Sequence, residues 1–161
     1  SIMHITIHAF GKITLFFVAG AIYVATHKKY ISEMDGIGRR MPFTMAAFTV
    51  GAFSMIAVPP VGGFISKWYL LLGAVEAQLL PVLAVLFLST LLNAGYYLPI
   101  VYAAFFKPGP DREAPRLREA PAMMVVPLVI TATGALALFF ASPYLLDLVR
   151  IVVAGVTGGV S

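Results

Sequence analysis

The sequence predicts an all-α fold, a polytopic bundle of transmembrane helices that includes one broken helix. Three observations lead there. Of the 161 residues, 60% are hydrophobic and only 11% are charged, where soluble domains carry about 25% charged residues. The apolar residues gather into stretches near the roughly 20 residues that a helical span needs, and the mean hydropathy is +0.94. A proline–glycine cluster separates the second apolar stretch from the third, because both residues oppose helix continuation. A soluble protein so poor in charge would expose wide apolar patches and aggregate.

The first expected span covers residues 3–26. It ends at a polar loop, "HKKYISEMDGIGRRM", which carries Lys28, Lys29, Arg39 and Arg40 against Glu33 and Asp35. A second span, 42–58, opens on Pro42, which suits a first helical turn. It stops at "PPVGG". The apolar region 64–106 is too long for one straight helix rising about 1.5 Å per residue. It divides at "EAQLLP" into a short helix, 64–76, and a long one, 82–106, which Pro99 is expected to kink. The loop "KPGPDREAPRLREAP" then leads to a span over 122–142. The tail 143–161, with Asp147 and Arg150 three apart, is open between an interfacial helix and a weak last span. The chain opens inside an apolar segment with no cleavable signal. It therefore reads as one membrane domain, the C-terminal part of a longer polytopic subunit.

All but two of the eleven Lys and Arg residues fall in the loops or near the tail, which fits inner-leaflet topology rather than nucleic-acid binding. The two basic loops, 27–42 and 107–120, are therefore expected on the cytoplasmic side of the cell inner membrane. They share a side only if 64–106 makes one net crossing, which places the broken helix there. Interrupted backbone is tolerated at membrane depth where it is buried in protein or lines a polar cavity.

Inside the apolar stretches the ionisable groups are His4, His8, Lys12, Lys67 and Glu76. His4, His8 and Lys12 are spaced i, i+4, i+8, so they form a stripe rising about 6 Å per step. A charge at the bilayer centre costs about 2.5–3.5 kcal/mol even on insertion scales. An amine shielded from water comes within range of proton exchange at cellular pH, and a neighbouring histidine titrates near there by nature. His8 and Lys12 are thus read as parts of a proton relay. The bland alternatives are a histidine bridging helices and a snorkelling lysine, although Lys12 is far from both ends of its span. Lys67 lies in "GGFISKWYLL", where the bland alternative is snorkelling beside interfacial Trp68 and Tyr69. The segment is interrupted at both ends, as at transporter ion sites, so Lys67 is read as the third member of the relay. His4 and Glu76 are weaker candidates. Thr14, Ser54, Ser66, Thr90 and Asn93 hold waters or bridge helices, each taken singly being structural.

Other chemistries lack their residues. There is no cysteine, hence no disulfide, thiolate metal site or iron–sulfur ligand. No nucleotide-phosphate, dinucleotide or zinc-protease motif occurs. His4 and His8 have the spacing of a metal pair, but a third ligand is not evident. No cofactor and no metal are expected in this chain, nor any redox site of its own.

The segments "HAFGKITLFFVAGAIY", "DGIGRRMPFTMAAFTVGAFSMIAVPPVGGFISKWYLL" and "LLNAGYYLPIVYAAFF" together resemble the antiporter-like membrane subunits. That family includes the D subunit of Mrp-type Na+/H+ antiporters and the proton-channel subunits of NADH:quinone oxidoreductase. The resemblance covers roughly residues 4–106. It implies a many-helix fold with broken helices, of which this chain is the C-terminal part. It matches His8 and Lys12 to the family's His-Ala-Phe-Phe-Lys type motif, and Lys67 to the key residue of the second broken helix. Gly11 departs from that motif, where relatives often carry Phe, and is expected to loosen local packing. The family's glutamate–lysine pair of the N-terminal half has no counterpart here. The first expectation is a proton-translocating subunit of a multisubunit Na+/H+ antiporter, with H+ and Na+ as ions. Its partners would be other membrane subunits and lipid. The alternative is a proton-pumping subunit of NADH:quinone oxidoreductase or of a membrane-bound hydrogenase. A passive scaffold would leave Lys12 and Lys67 without purpose.

Overall fold

The computed structural model describes residues 2–27, 30–109 and 119–158, and among these it is all-helical. The elements are α1 (Ile2–Thr26), two short 3₁₀ turns (Ile31–Glu33 and Ile37–Arg39), α2 (Pro42–Ile56), α3 (Gly62–Glu76), α4 (Leu80–Phe106), α5 (Ala122–Phe140) and α6 (Ser142–Gly158). Three helices, over Met3–Thr26, Leu80–Phe106 and Ala122–Phe140, are long and apolar enough to cross a membrane alone. The tail helix α6 is not among them.

Each boundary has a local cause. Pro42 opens α2 within its first turn. Its next N–H groups, which have no partner inside the helix, meet a carboxylate from far along the chain. Phe43 N–H donates to Glu119 Oε1 at 2.8 Å, and the Thr44 hydroxyl donates to Oε2 at 2.7 Å. Glu119 thus caps α2 from a distance, with its charge at the favourable end of the helix dipole. Ala57 ends α2 in a left-handed conformation, and Pro59 and Pro60 have no N–H with which to continue it. Gln78, also left-handed at φ 52°, turns the chain between α3 and α4. The expected helix 82–106 starts slightly earlier, at Leu80, and runs through Pro99.

The interruption of the broken crossing lies elsewhere than expected. Against α1, the contacts descend the chain in one continuous series. His4 meets Ser66, Ile7 lies by Gly62, Gly11 by Ser54, and Leu15 by Gly51. Farther on, Val18 and Ile22 share a buried core with Met41 and Met45. Hence α2 and α3 run the same way, antiparallel to α1, as one crossing broken at residues 57–61. By contrast α3 and α4 form an antiparallel hairpin, in which Lys67 meets Thr90 and Leu71 and Leu86 line one cavity. The physical reason is length. A helix of 15 residues rises about 22 Å, short of the ~30 Å hydrocarbon core. So α2 does not complete a crossing, and α3 finishes it.

Moving the break leaves the parity of the loops intact. Both lie at one end of the bundle, where Gly36 N–H donates to Ala103 O at 3.0 Å and Lys107 stands 3.7 Å from Asp35. Cysteines at Ser32 and Pro108 are therefore expected to react with a membrane-impermeant maleimide from the same side of the vesicle. Labelling from opposite sides would contradict this arrangement.

Gly11 does the reverse of loosening the fold. A Cβ there would sit 3.2 Å from Ser54 Oγ, and one at Gly51 would sit 3.1 Å from the Leu15 side chain. Small residues at this crossing bring α1 and α2 together, as they do at membrane helix contacts generally.

Candidate functional site

Lys67 is one turn into α3, just past the break, and the break supplies its partner. In an α-helix the Met55 carbonyl would accept from the N–H four residues on. That residue is Pro59, which has none. The Lys67 ammonium takes the vacant place, with Nζ donating to Met55 O at 2.9 Å. It also donates to Thr90 Oγ1 at 3.3 Å. The positive charge thus rests against the C-terminal, electronegative end of α2. The same sequence feature that interrupts the helix builds the cation's seat.

Two cavities meet at this lysine. One, of about 120 Å³, is the more polar of the two and is lined by His4, His8, Ser54, Ser66, Lys67 and Asn93 among others. Its size admits several water molecules, and its walls offer the hydrogen-bonding groups that water needs. The other, of about 160 Å³, is lined by Phe64, Trp68, Leu71, Leu86 and Phe87, with Lys67 and Thr90 at its polar side. Lys67 is shared by both.

His4 is oriented by a hydroxyl. Ser66 Oγ donates its one hydrogen to Gly63 O at 3.1 Å, so its lone pairs face His4 Nδ1 at 3.0 Å. With the hydroxyl hydrogen on Gly63 O, the matching tautomer carries its hydrogen on Nδ1 and leaves Nε2 as an acceptor. The His8 ring lies next along, with ring centroids 5.4 Å apart. The arrangement offers, in order, an imidazole with an open acceptor nitrogen, a second imidazole, a cavity fit for water, and an amine. Each of these side chains can take up or release a proton.

Of the residues singled out by sequence, the structure brings His4, His8 and Lys67 together. Lys12 and Glu76 stand apart. Lys12 is exposed on α1 and lines neither cavity. A helix advances about 100° per residue, so the i, i+4, i+8 stripe drifts, and Lys12 points about 80° away from His4. Glu76 is exposed at the end of α3. Sequence reasoning passed over the Met55 carbonyl and Ser89, which also lines the polar cavity, together with the cap made by Glu119. The first had a signal, a proline four residues downstream of a carbonyl, with a lysine one turn into the helix that follows. The pairing of Glu119 with α2 spans more than seventy residues and had none.

Comparison with known proteins bears on this site. A family described as "NADH:quinone oxidoreductase/Mrp antiporter, TM" matches residues 1–93. The NADH-quinone oxidoreductase subunit N of Desulforudis audaxviator (strain MP104C) is 40% identical over 149 residues, covering 86% of this chain and 30% of that protein. Formate hydrogenlyase subunit 3 of Escherichia coli (strain K12) is 33% identical over 155 residues, 90% of this chain and 26% of that protein. Hydrogenase-4 component B of Escherichia coli (strain K12) is 41% identical over 69 residues, 43% of this chain and 10% of that protein. The chain spans less than a third of the length of these relatives. Two of the similarities reach beyond the 4–106 segment on which the resemblance rested.

Proposed function

The chain belongs to the NADH:quinone oxidoreductase/Mrp antiporter transmembrane family, and on that premise we propose that it is part of the proton-translocating membrane subunit of a redox-driven complex. The relatives named for NADH-quinone oxidoreductase and for hydrogenlyase or hydrogenase favour this over the Na+/H+ antiporter first expected from the sequence. The observation that carries the chemistry is the convergence of Lys67, His4 and His8 on one cavity beside the broken crossing. Protons pass between Lys67 and the histidines through water in that cavity. Lys12, one turn beyond His8 on the exposed side of α1, extends the relay outward, toward neighbouring parts of the assembly. Glu76 is assigned no step. The partners are other membrane subunits and lipid, in a cell inner membrane with the two basic loops cytoplasmic. Electron-carrying groups belong to other subunits.

The energy source is the discriminating property. The complex purified through this subunit is expected to contain flavin or iron–sulfur proteins. In proteoliposomes its proton movement should start with the electron donor, stop when electron flow is inhibited, and ignore an imposed Na+ gradient. Sodium-driven proton exchange by a complex without redox groups would instead establish the antiporter.

A further inference from the structure

Thr90 sits on α4, whose other large side chains are mostly exposed hydrophobics. Its hydroxyl donates to Leu86 O, one turn back, at 3.0 Å. The oxygen is also 3.3 Å from Lys67 Nζ. A threonine hydroxyl has one hydrogen and two lone pairs. With the hydrogen engaged by Leu86, only lone pairs are presented to Lys67. The Met55 carbonyl, the other fixed partner, is likewise an acceptor alone. The carbonyl cannot donate to the lone pair of a neutral amine, and the hydroxyl does so only by giving up its bond to Leu86 O. Both therefore favour the ammonium form, and they do so from two different helices. Of the three ammonium hydrogens, these contacts take two and leave one for the cavity that Lys67 lines.

We propose that Thr90 is a positioning residue for Lys67, an acceptor that holds Nζ between the two cavities and strengthens its hold on the proton. The inference rests on Lys67 being the proton-exchanging group. The other titratable side chains facing the polar cavity are His4 and His8, both from α1. The α2 and α4 walls bring Ser54, Ser89 and Asn93, which do not titrate. Among the described residues, none of α5 or α6 lines either cavity. Protonated histidine opposes the ammonium, so Thr90 and the Met55 carbonyl are the fixed groups that act in its favour.

The test is the pH profile of donor-driven proton uptake by the reconstituted complex. Thr90→Val removes the acceptor with little change of shape, Thr90→Ala removes it with less bulk, and Thr90→Ser keeps the oxygen. Loss of one hydrogen bond to a charged group should move the alkaline limb of the profile toward lower pH by about one unit. Valine and alanine should both show this, and serine should restore the wild-type limb. If valine prevents assembly, the alanine profile decides by the same criterion. An unshifted limb in the assembled acceptor-free variants, or a serine variant shifted like them, overturns the proposal. Lys67→Ala run in parallel separates the two ideas. Wild-type uptake there would remove Lys67 from the mechanism. Loss of uptake there, beside an unshifted alanine or valine profile, would count against Thr90 alone.

Discussion

Replacing Gly63 with alanine is expected to destabilise the complex more than a methyl group added at any other described glycine within the helices. A Cβ on Gly63 would overlap the Ser54 carbonyl oxygen and lie 2.7 Å from its carbonyl carbon and 3.0 Å from its Cα. Both sides of that contact are backbone, so no side chain can swing aside. The first turn of α3 would have to move off the last turn of α2. Overpacking typically costs 1–3 kcal/mol and sometimes more, and a backbone-on-backbone contact puts Gly63→Ala at about 3 kcal/mol or above. The displacement also pulls Lys67 from Met55 O, so proton uptake should fall together with stability. Gly73, on the same helix, has no neighbour within 4 Å of the point where a Cβ would stand. There, alanine should be neutral or stabilise by up to about 1 kcal/mol, through helix propensity. Thermal midpoints of the two purified variants check this. Equal midpoints would refute the close approach of α3 to α2.

Much of this architecture was legible in the sequence. Proline at position 42, the "PPVGG" cluster and the turn after Glu76 marked helix ends through local chemistry, and local chemistry fixed them. The place of the broken crossing was not legible. Counting α2 as a full span was the error, and only the descending series of contacts along α1, from Ser66 back to Met45, shows that α2 and α3 continue one another. Such pairings are long-range and leave no mark in hydropathy. The site divided along the same line. His4, His8 and Lys67 stood out because ionisable groups are costly in hydrocarbon. Lys12 stood out by its charge in mid-span, its spacing from the histidines and the motif it shares with the resembling family, but its exposure on α1, outside both cavities, depends on how the helices pack. Thr90 and Ser66 were visible only as ordinary polar residues. What makes them specific is where each hydroxyl hydrogen goes, and that depends on the folded backbone.

In the proposed function the Lys67 amine, seated on the open end of α2, exchanges the translocated proton. Two substitutions test that role with opposite chemistry. Alanine removes the titrating group. Arginine keeps the positive charge and hydrogen-bonding capacity but does not release its proton in the accessible range. A lysine serving only as an anchor would be replaced well by arginine, since both snorkel and both bond carbonyls. A proton carrier would not. The most direct measurement is donor-driven proton uptake into proteoliposomes holding equal amounts of assembled wild-type, Lys67→Ala and Lys67→Arg complex, with electron transfer recorded alongside. Uptake is expected to fall to background in both variants while assembly is retained. Uptake at the wild-type rate in the assembled Lys67→Ala complex would contradict the role given to this lysine.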